Sequence, residues 1–287
     1  PAAKKALDAM VWGPPRGTIA DVKKPGAGVA WLLENDFVVV ANSHTVLMTR
    51  EVAIYLRGGK IHKELFTKAP ILVGDKRDAK SLQLAAIANI STFLRWTEEI
   101  LNFWAQEPAD ALRSGGLGVR DLKIISTHLG VDANCAAFVA ELSYLAGLLT
   151  IDPDDRILPT SQFDIWLTQT PSARWQSLVA PWLITSRVSG LVGKEESKNV
   201  APLGPELDRV AAAPLRKLTL RLLQESEGTA PQFASLLALA QWSTPARRSG
   251  GIPSDYIQWT LREAEWLGLT GQGAISKYAN ALLAGED

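Results

Sequence analysis

The chain has a single cysteine, Cys135, among 287 residues, so no disulfide can form within it, and a lone thiol fits a reducing cytoplasm. No apolar stretch approaches the ~18 residues of a membrane span and no signal peptide opens the sequence, so neither insertion nor export is expected. Charge of one sign is also missing: 30 Lys/Arg balance 30 Asp/Glu, and any polyanion binding by the whole chain should be modest and salt-sensitive. An initiator Met is lacking too; Pro1 stands first, as in a piece of a longer chain. What remains is ordinary globular material, 47% hydrophobic and 21% charged, with room for two or three small domains. Ten tryptophans are many for this length and are expected to fill cores and joints.

One pattern recurs three times. It reads WLLENDFVVVANSHTVLMTREVAIYLRGG from Trp31 to Gly59, YLAGLLTIDPDDRILPTSQFDIWL from Tyr144 to Leu167, and WLGLTGQGAISKYANALLAG from Trp266 to Gly285. Each copy is an apolar helix end, an acidic or glycine stop, a β hairpin or its remnant, and a Thr/Ser start to a new helix. That order is the helix–wing part of a winged helix, a helix-turn-helix variant. The expected fold class is therefore mainly α with small β wings, in tandem winged-helix domains.

Five segments follow. Residues 1–62 form a winged-helix-like unit: AAKKALDAM is helical until Trp12-Gly13-Pro14-Pro15, Phe37–Val40 and Thr45–Met48 pair across Ala41–His44, and Thr49 caps a helix that Gly58-Gly59 ends. Residues 63–110 hold a polar connection and a long helix with Ile87, Ile90, Phe93/Leu94, Ile100/Leu101 and Trp104 at helical spacing. Residues 111–170 are the clearest helix-turn-helix. Val119–His128 is its first helix, Gly130 permits the turn, Asp132 caps the second helix, and Cys135, Phe138, Val139, Leu142, Leu145 and Ala146 make its core stripe. Residues 171–200 read as a connector with one apolar helix at Trp175–Ile184. Residues 201–287 read as a winged-helix-like unit with a reduced wing at Gly271-Gln272-Gly273 and a helix capped by Ser254 or Asp255.

The chain resembles the N-terminal half of actinobacterial helicase-associated proteins, whose other half is similar to the N-terminal domain of XPB-type helicases. The resemblance rests on WGPPRGT (Trp12–Thr18), REV (Arg50–Val52), LRSGGLGVRDL (Leu112–Leu122), LAGLL (Leu145–Leu149), LPT (Leu158–Thr160), LGPEL (Leu203–Leu207), REAEWLGLTGQGA (Arg262–Ala274) and ALLAG (Ala281–Gly285), in the family's order. It implies an accessory role at DNA, a nucleoid-associated location in the cytoplasm, a protein partner in repair or transcription, and an XPB-like part absent from this chain.

Catalytic chemistry finds no support in the residues. Gly190-Leu191-Val192-Gly193-Lys194-Glu195 lacks the glycine spacing and the hydroxyl of a phosphate loop, and Asp154-Asp155-Arg156 reads as a wing tip. His44, His62, His128 and Cys135 pair at no metal spacing, and neither Gln83-Leu84-Ala85 nor Gln272-Gly273-Ala274 matches the Gln-x-Gln motif of winged-helix DNA glycosylases. Glu98-Glu99 reads as a solvated helix face. No catalytic residue, metal or cofactor is expected. The candidate nucleic-acid contacts are Lys23 and Lys24 before a helix, Arg50 after the first wing, Arg120 and Lys123, Arg247 and Arg248 in a Gly/Ser loop, and Arg262. The helix carrying Asn134, Ala137, Glu141 and Ser143 offers no cation to a base edge, so backbone or shape recognition is expected rather than sequence readout. Two hypotheses stand ahead of the glycosylase: a non-enzymatic DNA-binding, helicase-associated module, and a protein-interaction scaffold built from the same units.

Overall fold

The computed structural model describes residues 2–61, 68–193, 200–226, 228–244 and 252–284. The chain divides into two compact units, Pro1–Ala69 and Pro70–Asp287. It is mainly helical, with twelve α-helices and small antiparallel sheets among the described residues. No helix there is long and apolar enough to cross a membrane.

The first unit runs α1 (Ala2–Val11), β1 (Arg16–Thr18), α2 (Ala27–Glu34), β2 (Val38–Asn42), β3 (Thr45–Met48) and α3 (Arg50–Leu56). Its sheet has the order β1-β3-β2, with Val38 opposite Met48 at the hairpin base and a register shift between Val40 and Asn42 near the tip. Leu7, Met10, Val11, Leu32, Val38, Val46, Met48 and Ala53 form its core. Thr49 holds the N-cap position of α3, but its side chain makes no capping bond, contrary to expectation.

The second unit opens with β4 (Gly74–Lys76) and α4 (Ala79–Gln106), whose N-cap Asp78 accepts from the Ser81 backbone N–H. Next come β5 (Ala109–Asp110), α5 (Val119–Leu129), α6 (Ala133–Leu145), β6 (Leu149–Ile151), β7 (Arg156–Pro159) and α7 (Ser161–Leu167). Here the sheet order is β5-β7-β6, the same first–last–middle arrangement as in the first unit. Gly130, at φ 67°, ends α5, and Asp132 Oδ1 accepts from the Cys135 N–H at 2.9 Å to start α6. After α8 (Pro171–Ile184) come α9 (Ala212–Gln224), β8 (Thr229–Pro231), α10 (Phe233–Ser243), α11 (Ser254–Trp266), β9 (Thr270–Gly271), β10 (Ala274–Ile275) and α12 (Lys277–Ala284). The helix–strand–helix–helix–hairpin order thus occurs twice in this unit, although β8 pairs with β4 and the β9–β10 hairpin stands alone. Pro253, not Ser254 or Asp255, occupies the N-cap of α11, with no side-chain cap.

The three recurring stretches share one hydrogen-bond scheme. At the ends of α2, α6 and α11 the residue after the cap turns left-handed: Asp36 at φ 60°, Gly147 at 71° and Gly268 at 68°. The next N–H reaches back to the helix, from Phe37 to Leu32 O, Leu148 to Ser143 O and Leu269 to Ala264 O, each at 2.9 Å. After each hairpin the N–H of Thr49, Thr160 or Ser276 closes onto the carbonyl of Phe37, Leu148 or Leu269 at 3.3, 2.9 and 2.9 Å. The third copy is short because two-residue strands replace the longer hairpin arms.

The segments separated by sequence within 70–287 do not stand apart. One core joins Phe93 and Trp104 of α4, Phe138 of α6, Trp175 and Trp182 of α8, Leu220 of α9 and Ile257 of α11. Residues 171–200 are therefore no mere connector: α8 buries Trp175, Leu178, Val179 and Trp182. Two of the stretches that carried the family resemblance also meet, where Gly116 lies against Gly204; beside it the Leu117 N–H donates at 2.7 Å to the carbonyl of Pro202, just ahead of the second stretch.

Candidate nucleic-acid interface

In a helix-turn-helix the second helix carries the contact face. In the second unit the helices that precede the two hairpins, α6 and α11, are covered. Phe138 of α6 meets Trp266 of α11 with ring centroids 5.5 Å apart. From α8, Trp182 Nε1 donates to Glu263 Oε2 at 2.7 Å, and Trp175 Nε1 donates to Leu267 O at 2.7 Å. Ser189 Oγ, in a 3₁₀ turn, donates to Glu263 Oε1 at 2.7 Å. Glu141 accepts from Arg187 at 2.7 and 3.0 Å and from the Leu203 N–H, so the only charge on α6 is consumed inside the fold. Arg216 donates to the carbonyls of Trp182 and Thr185 at 2.6 and 3.0 Å and stands 4.0 Å from Glu263; burial pulls its pKa down, though an arginine stays charged.

The face of α6 that the sequence shows to lack a cation is not presented to solvent either. Of Asn134, Ala137, Glu141 and Ser143, only Asn134 keeps any exposure; the other three are 0–2% exposed and face protein. Cys135 is buried as expected, and desolvation, with the Asp132 charge adding to it, pushes its thiol up to about 12, so it is no nucleophile at neutral pH.

The predicted contacts scatter. Arg120 and Lys123 are exposed on one face of α5, three residues apart. Arg262 is half-buried on α11, its guanidinium 5.1 Å above the Trp266 ring and its Nε without a hydrogen-bond partner among the described residues. Arg247 and Arg248 lie outside the described residues, as does the Lys194 end of the phosphate-loop-like string; Gly190 of that string is packed beneath Trp259. The β6–β7 turn at Asp152 is closed on itself, its carboxylate accepting from the backbone N–H of Arg156 and Asp154 and from the Arg156 side chain, bonds that hold its pKa down. Glu98 and Glu99 are half-buried and paired with Arg174 and Arg95 rather than free in solvent.

Lys23, Lys24 and Arg50 are all exposed in the first unit, but at opposite ends of its hairpin. The loop holding the lysines is tied to the hairpin tip. The Ile19 N–H donates to His44 O at 2.9 Å, the Val22 N–H to Ser43 O at 3.0 Å, and His44 Nδ1 lies 2.7 Å from Ala20 O. Arg50 starts α3 at the hairpin base, about 13 Å away along four residues of strand. Between the lysine loop and that base runs α2, on which only Leu32 is buried. Trp31 is 48% exposed there, its ring 5.4 Å from Phe37. By the shared hydrogen-bond scheme the positions equivalent to Trp31 are Leu142 and Glu263, which are 1% and 3% exposed. The open face of α2 was missed in the sequence, where Trp31 read only as a helix end.

Charge follows the same division. Residues 1–69 carry 10 Lys/Arg against 6 Asp/Glu, a net +4, and residues 70–287 carry 20 against 24, a net −4. Among the described residues, a groove of about 360 Å³ between α4, α8 and α12, lined by Ile87, Ile90, Trp175, Tyr278 and Leu282 among others, has no carboxylate, imidazole or thiol in its lining. Among the described residues no group of three or more His, Cys, Asp or Glu is placed to hold a metal ion. No protein-family model, curated protein or solved structure matches the chain.

Proposed function

We propose that the chain is a non-enzymatic nucleic-acid-binding module of winged-helix units, in which the first unit makes the contact and the second is a rigid scaffold. The observation that carries the reading is the contrast between three equivalent helices. The faces of α6 and α11 are filled by protein, whereas α2, packed by α1 at Gly28, leaves Trp31 exposed, follows Lys23 and Lys24, and belongs to the positively charged unit. Support for the winged-helix assignment comes from the repeated helix–turn–hairpin bonding and from the matching strand orders β1-β3-β2 and β5-β7-β6. A place beside a helicase rests on the order of the resemblance motifs alone.

The closed faces of α6 and α11 and the net −4 of residues 70–287 favour protein docking over phosphate for that unit. The test is a salt titration of DNA affinity by the whole chain and by the Lys23→Ala/Lys24→Ala variant. Affinity should fall steeply between about 50 and 200 mM salt, and the variant should bind more weakly with a shallower salt slope. No binding at low salt would overturn the reading and leave the scaffold in its place.

A further inference from the structure

The open face of α2 bears on which form of nucleic acid the first unit takes. A helix that reads duplex DNA needs donors and acceptors long enough to reach base edges. The sequence of α2, AGVAWLLE, supplies none on its exposed positions except Glu34, which phosphate repels. Its one large exposed group is the Trp31 indole, steadied on one side by Phe37 at 5.4 Å with a 33° tilt. Flat aromatic surface beside cations is what unpaired bases use: the ring accepts any base by stacking, while the cations meet the phosphates. Cations come from the loop just before α2, where Lys23 and Lys24 are exposed and held to the hairpin tip through Ile19, Val22 and His44. Both other copies bury the equivalent position, so the exposed indole is not a requirement of the turn that follows it.

We infer that the first unit binds single-stranded nucleic acid, with Trp31 stacking on a base and Lys23 and Lys24 contacting the flanking phosphates. This rests on the nucleic-acid reading above and narrows it. The experiment compares a labelled oligothymidylate of about 20 nucleotides with a duplex of the same length, at low salt, on the full chain and on Trp31→Ala and Trp31→Phe. The single strand should bind more tightly than the duplex. Trp31→Ala should weaken single-strand binding about ten- to hundred-fold, and Trp31→Phe should recover most of it. Unchanged circular dichroism will confirm that these substitutions at an exposed site leave the fold intact.

Duplex binding as tight as single-strand binding, or single-strand affinity indifferent to Trp31→Ala, would overturn this inference while leaving the broader proposal standing. Absence of binding to either would overturn both. If Trp31→Ala abolished self-association or capture of a protein while leaving oligonucleotide affinity untouched, α2 would be a protein-docking face and the inference would fall.

Discussion

Asp36, Gly147 and Gly268 occupy the same turn position, and only the first carries a Cβ. Left-handed backbone is strained for any residue but glycine, and a negative side chain at the C-terminal end of α2 also opposes the helix dipole. Asp36→Gly should therefore stabilise the first unit by about 0.5–1 kcal/mol, read as a higher denaturation midpoint for residues 1–69. A fall in stability would show that Asp36 does something in that turn beyond occupying it. The same scale explains what stayed hidden in the sequence. Glu141 and Glu263 have the composition of surface helix residues, yet each sits inside with an arginine and backbone or side-chain donors around it. A warning was present in α6, where Glu141 is the only charged residue among thirteen; a surface helix carries more.

At the scale of elements, the hairpins and the α5–α6 turn were legible because local chemistry fixes them. β-rich runs flank short polar turns, Gly130 permits the left-handed bend, and Asp132 caps α6. The two- and three-residue strands β1, β4, β5 and β8 were not legible, since each exists only through a partner distant in sequence. The role of α8 was missed for the same reason: its tryptophans read as apolar wherever they point, and only the fold shows that they seal α6 and α11. Of the candidate site, the lysines were read from the sequence, whereas the exposed indole of the following helix depended on which helices the fold left uncovered. An element-level test is available at Gly271 of β9, which lies so close to α4 that a Cβ would come within 2.2 Å of Leu82 O. Gly271→Ala should destabilise the second unit by about 1–3 kcal/mol in urea denaturation, because the obstacle is backbone and cannot swing aside.

For the whole molecule, separate cores in Pro1–Ala69 and Pro70–Asp287 predict separate folding. A fragment of residues 70–287 should keep its helical circular dichroism and melt in one cooperative transition. The smaller unit, with eight buried hydrophobic residues in its core, should melt at a lower temperature, as short chains bury less of their surface. Calorimetry of the full chain against the fragment checks this; a fragment that fails to fold would refute it. Loss of oligonucleotide binding in the fragment would accompany the proposed division of labour. Some of the stretches that carried the family resemblance are structural, as where Gly116 lies against Gly204 and where Glu265 accepts from Thr270, Gln272 and Gly273 to brace the last hairpin.

The 28 residues of α4, about 42 Å of helix, serve both halves of the second unit. Leu82 and Ala86 receive the last hairpin at Gly268 and Gly271, while the same helix also packs against α5, α6 and β7. Neither half owns that spar, so neither can be lifted out as a working part. Cutting the gene after α7 would strand a helix with one flank bare, and fraying at either end of α4 would weaken both halves together.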